Sequence, residues 1–138
     1  VKINEQRLQF VFNSPSGPVG QFLGRTGARV ESTAKSLITA EKLVRSGRYR
    51  SSIAWRLLND GRGLFVQVGS ALPIARLIER GSPAHRIIPR SKRALWWTHG
   101  EDRGWLLPEH PLASVNHPGT RPYMILHRAV AAVLRGAR

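Results

Sequence analysis

The spacing of hydrophobic positions changes several times along the chain, and each change marks a predicted element. Across residues 1–12, Ile3, Leu8, Phe10 and Phe12 fall among polar positions, most regularly in Leu8-Gln9-Phe10-Val11-Phe12. This near-alternation predicts a strand, since successive side chains of a strand point to opposite faces. Asn13-Ser14-Pro15-Ser16-Gly17 ends it, because Pro and Gly interrupt regular pairing. From Pro18 the period lengthens. Val19, Phe22, Leu23, Val30, Ala34, Leu37 and Ile38 follow at spacings of three, four and seven, which predicts one amphipathic helix to about Ala40. Pro18 suits its first position, where a missing N–H costs nothing. Gly20, Gly24 and Gly27 weaken the first half but group on one narrow side where another chain segment can approach closely.

Beyond Ser46-Gly47, two apolar-rich runs at 49–58 and 63–69 flank Asn59-Asp60-Gly61-Arg62. An Asp-Gly pair between such runs predicts a hairpin, because its turn requires positive φ. Leu64, Val66 and Val68 should share one face of the second strand, with Phe65 on the other. Pro73 opens a short helix over 74–80, stopped by Gly81 and Pro83. A second hairpin is predicted over 85–112. Its apolar arms hold Ile87, Ile88, Leu95, Trp96, Trp97, Trp105, Leu106 and Leu107, around a polar tip at 99–104. The last helix should start near Pro122 and run through Leu126, Val130, Val133 and Leu134. It is apolar on most sides apart from His127, Arg128 and Arg135, which predicts deep burial or burial by assembly. The order predicts an α+β fold: an antiparallel β-sheet packed against a long helix in the N-terminal half and a C-terminal helix. A single domain over 1–138 is expected, with flexible ends at 1–6 and 136–138.

Composition narrows the chemistry. The 41% apolar content supports a core in a chain of 138 residues. The absence of cysteine excludes disulfides and thiol nucleophiles and suits a reducing cytoplasm. No segment approaches the ~20 apolar residues of a membrane span, and no signal-peptide hydrophobic region opens the chain. A soluble protein is expected. The formal net charge is +14, and 18 of the 22 basic residues are arginine. Guanidinium groups favour phosphate or carboxylate partners, so nucleic acid or an acidic protein is implied; GC-rich codon usage also raises arginine at exposed positions. The densest basic stretch, Arg86, Arg90, Lys92 and Arg93, is followed at once by Trp96 and Trp97. These four cations are candidate contacts for DNA or an acidic partner.

A catalytic reading finds little support. His99, Glu101, Asp102, His110 and His117 lie near one another in sequence, and Asn116-His117 in a basic chain brings a metal-dependent nuclease to mind. No pair among them has diagnostic ligand spacing. No Gly-x-Ser-x-Gly element is present, and Gly24-Arg25-Thr26-Gly27 falls inside a predicted helix, unlike a phosphate-binding loop. No catalytic, metal or cofactor site is assigned.

Three separated segments form a recognisable set. They are Ser46-Gly47-Arg48-Tyr49-Arg50-Ser51-Ser52-Ile53; Ala75-Arg76-Leu77-Ile78-Glu79-Arg80-Gly81-Ser82-Pro83, continued by His85-Arg86-Ile87-Ile88-Pro89; and Val115-Asn116-His117-Pro118-Gly119-Thr120-Arg121-Pro122-Tyr123-Met124. In order and spacing they resemble the tail-component family of long-tailed bacteriophages, the neck or tail-completion proteins of the head–tail junction. The likeness spans roughly residues 15–135, with Ser82 where that family more often has Thr and Tyr123 where it more often has Phe. The resemblance implies a non-enzymatic virion protein, assembled in the host cytoplasm, with no cofactor. It implies a sixfold or twelvefold ring of identical subunits that meets neighbouring connector and tail-tube proteins, with non-specific contact to DNA in the channel. Glu79, an acid among Arg76, Arg80 and Arg86, is expected to hold an arginine or bridge subunits. Arg76, Arg80, Tyr123 and Met124 join it as candidate interface residues. The alternative is a basic DNA-binding protein without catalysis, and behind it a His/metal nuclease.

Overall fold

The computed structural model describes residues 4–90 and 114–136. The long helix α2 occupies Pro18–Ala40, the span its periodicity predicts, with Pro18 in its first turn. Its buried positions are Gly20, Gly27, Val30, Ala34 and Ile38, a single stripe at helical spacing. Phe22, counted on the apolar stripe from sequence, instead lies 57% exposed. The helix turns its small residues inward at its start. A Cβ on Gly20 would stand 2.3 Å from the Pro15 carbonyl oxygen, and one on Gly27 would stand 2.9 Å from a Val66 methyl and 3.0 Å from the Trp55 ring. The glycine face therefore admits a turn at one end and a sheet at the other.

Residues 5–12, predicted as strand, form helix α1, Glu5–Asn13. Asn4 caps it by accepting the Arg7 N–H at 3.0 Å, and Glu5 places an acid in the first turn. The apolar residues Leu8, Val11 and Phe12 fit a helical face as well as an alternating one, and α1 has a helix rather than a strand beside it, since it packs on α2. Glu5 and Gln6, expected within a flexible end, belong to this capped helix.

The first hairpin forms about its Asp-Gly turn. Strand β1, Ala54–Asn59, pairs antiparallel with β2, Leu64–Gly69, with Trp55 opposite Val68 and Leu58 opposite Phe65. Gly61 takes φ +84°, and the Asn59 and Asp60 side chains accept the Gly61 and Arg62 N–H groups. Leu64, Val66 and Val68 are half-buried on the side facing α2, whereas Phe65 is exposed. The first strand starts later than predicted, because residues 49–52 belong to a short helix, α3, Arg48–Ser52. There Ser51 and Ser52 donate their hydroxyls back to the Arg48 and Tyr49 carbonyls, a local alternative to strand pairing.

Helix α4, Pro73–Arg80, ends at Gly81 as predicted. Strand β3, His85–Ile87, then pairs with β4, Val115–His117, in antiparallel register. The returning strand is thus the third motif itself; the predicted arm at Trp105, Leu106 and Leu107 and the polar tip at 99–104 lie outside the described residues. Ser82 and Thr120 form a further bridge in the same register, separated from the ladder by Pro83 and Pro118. The α+β fold is as predicted, and its antiparallel pairing takes the form, among the described residues, of two small two-stranded sheets.

The last helix, α5, Ile125–Arg135, begins three residues beyond Pro122. It is buried along Ile125, Ala129 and Val133, while Val130 and Leu134 remain 40% and 58% exposed, so its burial is one-sided rather than all-round. The core joins these three residues to Val30, Ala34, Ile38, Tyr49, Ile53 and Ala75. Ile38, Ile53 and Ile125 are its largest fully enclosed side chains. Truncating any one to Ala would cost roughly 2–5 kcal/mol.

Candidate functional site

The three segments that carry the resemblance are far apart in sequence and meet at Glu79. Gly47, with φ +72°, turns the chain into α3 and so places Tyr49 in the core. Tyr49 donates its hydroxyl to Glu79 Oε1 at 3.1 Å. From the other side, the Leu126 N–H donates to both Glu79 carboxylate oxygens, at 3.1 and 3.2 Å. Leu126 lies in the first turn of α5, whose N-cap position is Met124, a residue with no capping side chain and a left-handed φ of +51°. Helix α5 is therefore capped by a carboxylate from another helix, with negative charge at the positive end of its dipole.

The capping is reciprocal. The Tyr123 and Met124 N–H groups donate to the Ile78 and Glu79 carbonyls at 2.9 and 3.3 Å, so the end of α4 is closed by the segment that starts α5. Just beyond, the Ser82 and Thr120 backbones exchange two hydrogen bonds of 3.0 Å each, and their hydroxyls stand 3.1 Å apart. Two glycines make this approach feasible. Gly81 and Gly119 have φ of +71° and +88°, and a Cβ on either would lie 2.3 Å from a carbonyl oxygen of the opposite segment. Burial raises the Tyr49 hydroxyl above the ordinary tyrosine pKa, and the Glu79 carboxylate beside it adds to the shift.

A second anchor ties the same region to α2. Glu41, at the end of that helix, receives Arg128 at 2.6 Å and Arg121 at 3.4 Å, and the Arg121 guanidinium also lies 4.8 Å over the Tyr123 ring. Sequence reasoning missed Glu41. Its signal was its rarity, as one of eight acids in the chain.

The expected site residues divide. Glu79, Tyr123 and Met124 come together, but Glu79 holds a tyrosine and a helix end rather than an arginine. Among the described residues, ion pairs engage Lys35, Arg121 and Arg128, and none involves Glu79. Arg76 and Arg80 lie exposed on α4. Arg86 donates from Nε to the Ser114 hydroxyl at 2.8 Å, linking the two arms of the short ladder, and Arg90 is exposed. Lys92, Arg93, Trp96 and Trp97 lie outside the described residues, as do His99, Glu101, Asp102 and His110. His117 accepts the Gly119 N–H at Nδ1 and stands 5.0 Å from the His85 ring across the ladder. No group of three or more potential metal ligands occurs among the described residues, and no helix among them is long and apolar enough to cross a membrane. With both Glu79 oxygens engaged by Tyr49 and Leu126, the arrangement is a joint between two helices.

Comparison with known proteins agrees with the resemblance carried by the motifs. The family model described as "Bacteriophage HK97-gp10, putative tail-component" matches residues 19–81, somewhat less than half of the chain. The match runs from α2 to Gly81. It includes the Tyr49 segment and the Glu79 segment as far as Gly81, and stops well before the third, which completes the joint. No curated protein and no solved structure matches. Over the matched span the chain is similar to that phage tail-component family.

Proposed function

We propose that this chain is a non-enzymatic component of the phage head–tail junction. In this reading it is a neck, tail-completion or tail-terminator subunit that forms a homo-oligomeric ring and joins tail to head. The observation that carries the reading is the convergence on Glu79 of the three segments that bear the family resemblance, the first within the matched span and the second within it as far as Gly81. A joint of this kind fixes α4 and α5 as one rigid piece, which a subunit clamped between rings requires. Arg76 and Arg80 and the half-exposed Met124 side chain face outward around it and are available to a neighbouring subunit or ring. The test is genetic. A nonsense mutation in the gene should leave separate filled heads and finished tails, restored to whole particles by the protein supplied in trans. Infectious, joined particles that lack the protein would sink the reading.

The basic surface supports a second function within the first. Exposed Arg25, Arg29, Arg50, Arg56 and Arg62 form no ion pair with an acid among the described residues. They suit contact with a phosphate backbone passing through the ring. DNA affinity should fall steeply as salt rises, and undetectable binding at low salt would remove this part of the reading.

A further inference from the structure

An open groove of about 320 Å³ lies between α2 and the segment formed by α3 and the start of β1. Ala28, Ser32 and Ser36 line its helix side, and their regular spacing keeps them on one side of α2. Arg50 and Trp55 line the opposite side. Glu31 and Lys35 also face the groove, where they hold each other as an ion pair and cancel in charge. Arg50 is exposed and belongs to no ion pair among the described residues, so the groove keeps a net positive charge. The Trp55 ring rests on Gly24 and Gly27 and forms a fixed apolar wall.

Resting on the reading that exposed arginines meet a phosphate backbone, we propose that this groove is where one strand of duplex DNA is seated. Arg50 takes a phosphate, the Ser32 and Ser36 hydroxyls flank it, and a sugar lies against Trp55. A DNA strand alternates charged phosphates with apolar sugars, and the groove places a guanidinium, hydroxyls and an indole together. The short side chains of Ala28, Ser32 and Ser36 let the strand lie close to the helix. Arg25, exposed one turn before Ala28 on the same side of α2, continues the basic track. Contacts of this kind position the backbone and read no base, so binding is independent of sequence.

The experiment uses the full chain and a labelled short duplex, with affinity followed by fluorescence anisotropy across a salt series. Arg50→Ala should lower affinity about tenfold and flatten the slope of log affinity against log salt by about one. Ser32→Leu fills the groove without changing charge and should weaken binding about fivefold. Arg135→Ala removes the same charge from α5, which packs on the buried stripe of α2, and should stay within about twofold of wild type. Circular dichroism should be unchanged in all three, and Ser36→Leu replaces Ser32→Leu if that variant misfolds. Wild-type affinity in the folded groove-filling variant, or equal losses from the two arginine variants, would overturn the groove and leave DNA contact standing. Poly-glutamate that displaces the duplex as well, charge for charge, as unlabelled duplex does would mark an acidic protein site and overturn the proposal. A wild type that binds no duplex at low salt would overturn the groove and the phosphate reading together.

Discussion

The joint at Glu79 and the corner at the start of α2 handle exposed chemistry in opposite ways. At the joint, each helix end supplies what the other lacks: a carboxylate for the α5 N–H groups, and N–H groups for the α4 carbonyls. At the corner, Phe12 and Phe22 stand more than half exposed, within a run of the sequence, residues 8–24, that holds no charged side chain. One region is closed within the chain and the other is left open. The difference separates what the fold depends on from what it leaves in solvent: substitutions at the joint should destabilise the chain, and substitutions at the corner should leave it folded.

The largest expected effect is at the glycines of the joint. Gly81→Ala should cost about 3 kcal/mol in urea unfolding, because a positive φ combines with a Cβ only 2.3 Å from the Thr120 carbonyl. Gly61→Ala, at φ +84° with nothing within 4 Å, should cost only about 1 kcal/mol. Equal costs at the two would show that the close approach of the segments is not what matters. Next comes Glu79→Leu, expected to lose about 2–3 kcal/mol by orphaning the Tyr49 hydroxyl and the Leu126 N–H, with Glu79→Gln milder because an acceptor remains. Tyr49→Phe should cost about 1 kcal/mol and carry a pH signature. A raised tyrosine pKa means that the unfolded chain ionises first, so wild-type stability should be full below about pH 10 and decline above it. In the Phe variant that part of the decline should vanish. Smallest of all, Phe12→Ser should shift stability by no more than about 0.5 kcal/mol. A loss comparable to that of Glu79→Leu would erase the contrast between the two regions.

Much of this fold was legible where local chemistry decides the outcome. Pro18 and the 3.6-residue stripe placed α2, Asp60-Gly61 placed the hairpin, and Pro73 with Gly81 bounded α4. Errors arose where a short segment satisfied two periods. Leu8-Gln9-Phe10-Val11-Phe12 alternates, yet Asn4 and Glu5 supply a cap and an acidic first turn, so the helix wins. Tyr49 and its neighbours look extended by composition, but their serines bond back onto the helix turn. Strand β4 is only three residues long and owes its existence to a partner about thirty residues earlier. Glu79 stood out in sequence as an acid among arginines. Its partners did not, because Tyr49 and Leu126 lie 30 and 47 residues away and one is engaged through its backbone. The long-range half of the site thus became visible only in three dimensions.

The core has one further consequence, for the timing of folding. Its opposing walls are α2 and α5, which lie far apart along the chain. On a ribosome α2 emerges with its apolar stripe uncovered and waits for α5 to be made. Closure must therefore await that distant helix, as for any fold dominated by distant contacts. A chain terminated before α5 would have neither a sealed core nor a finished joint, and would leave the apolar stripe of α2 in solvent.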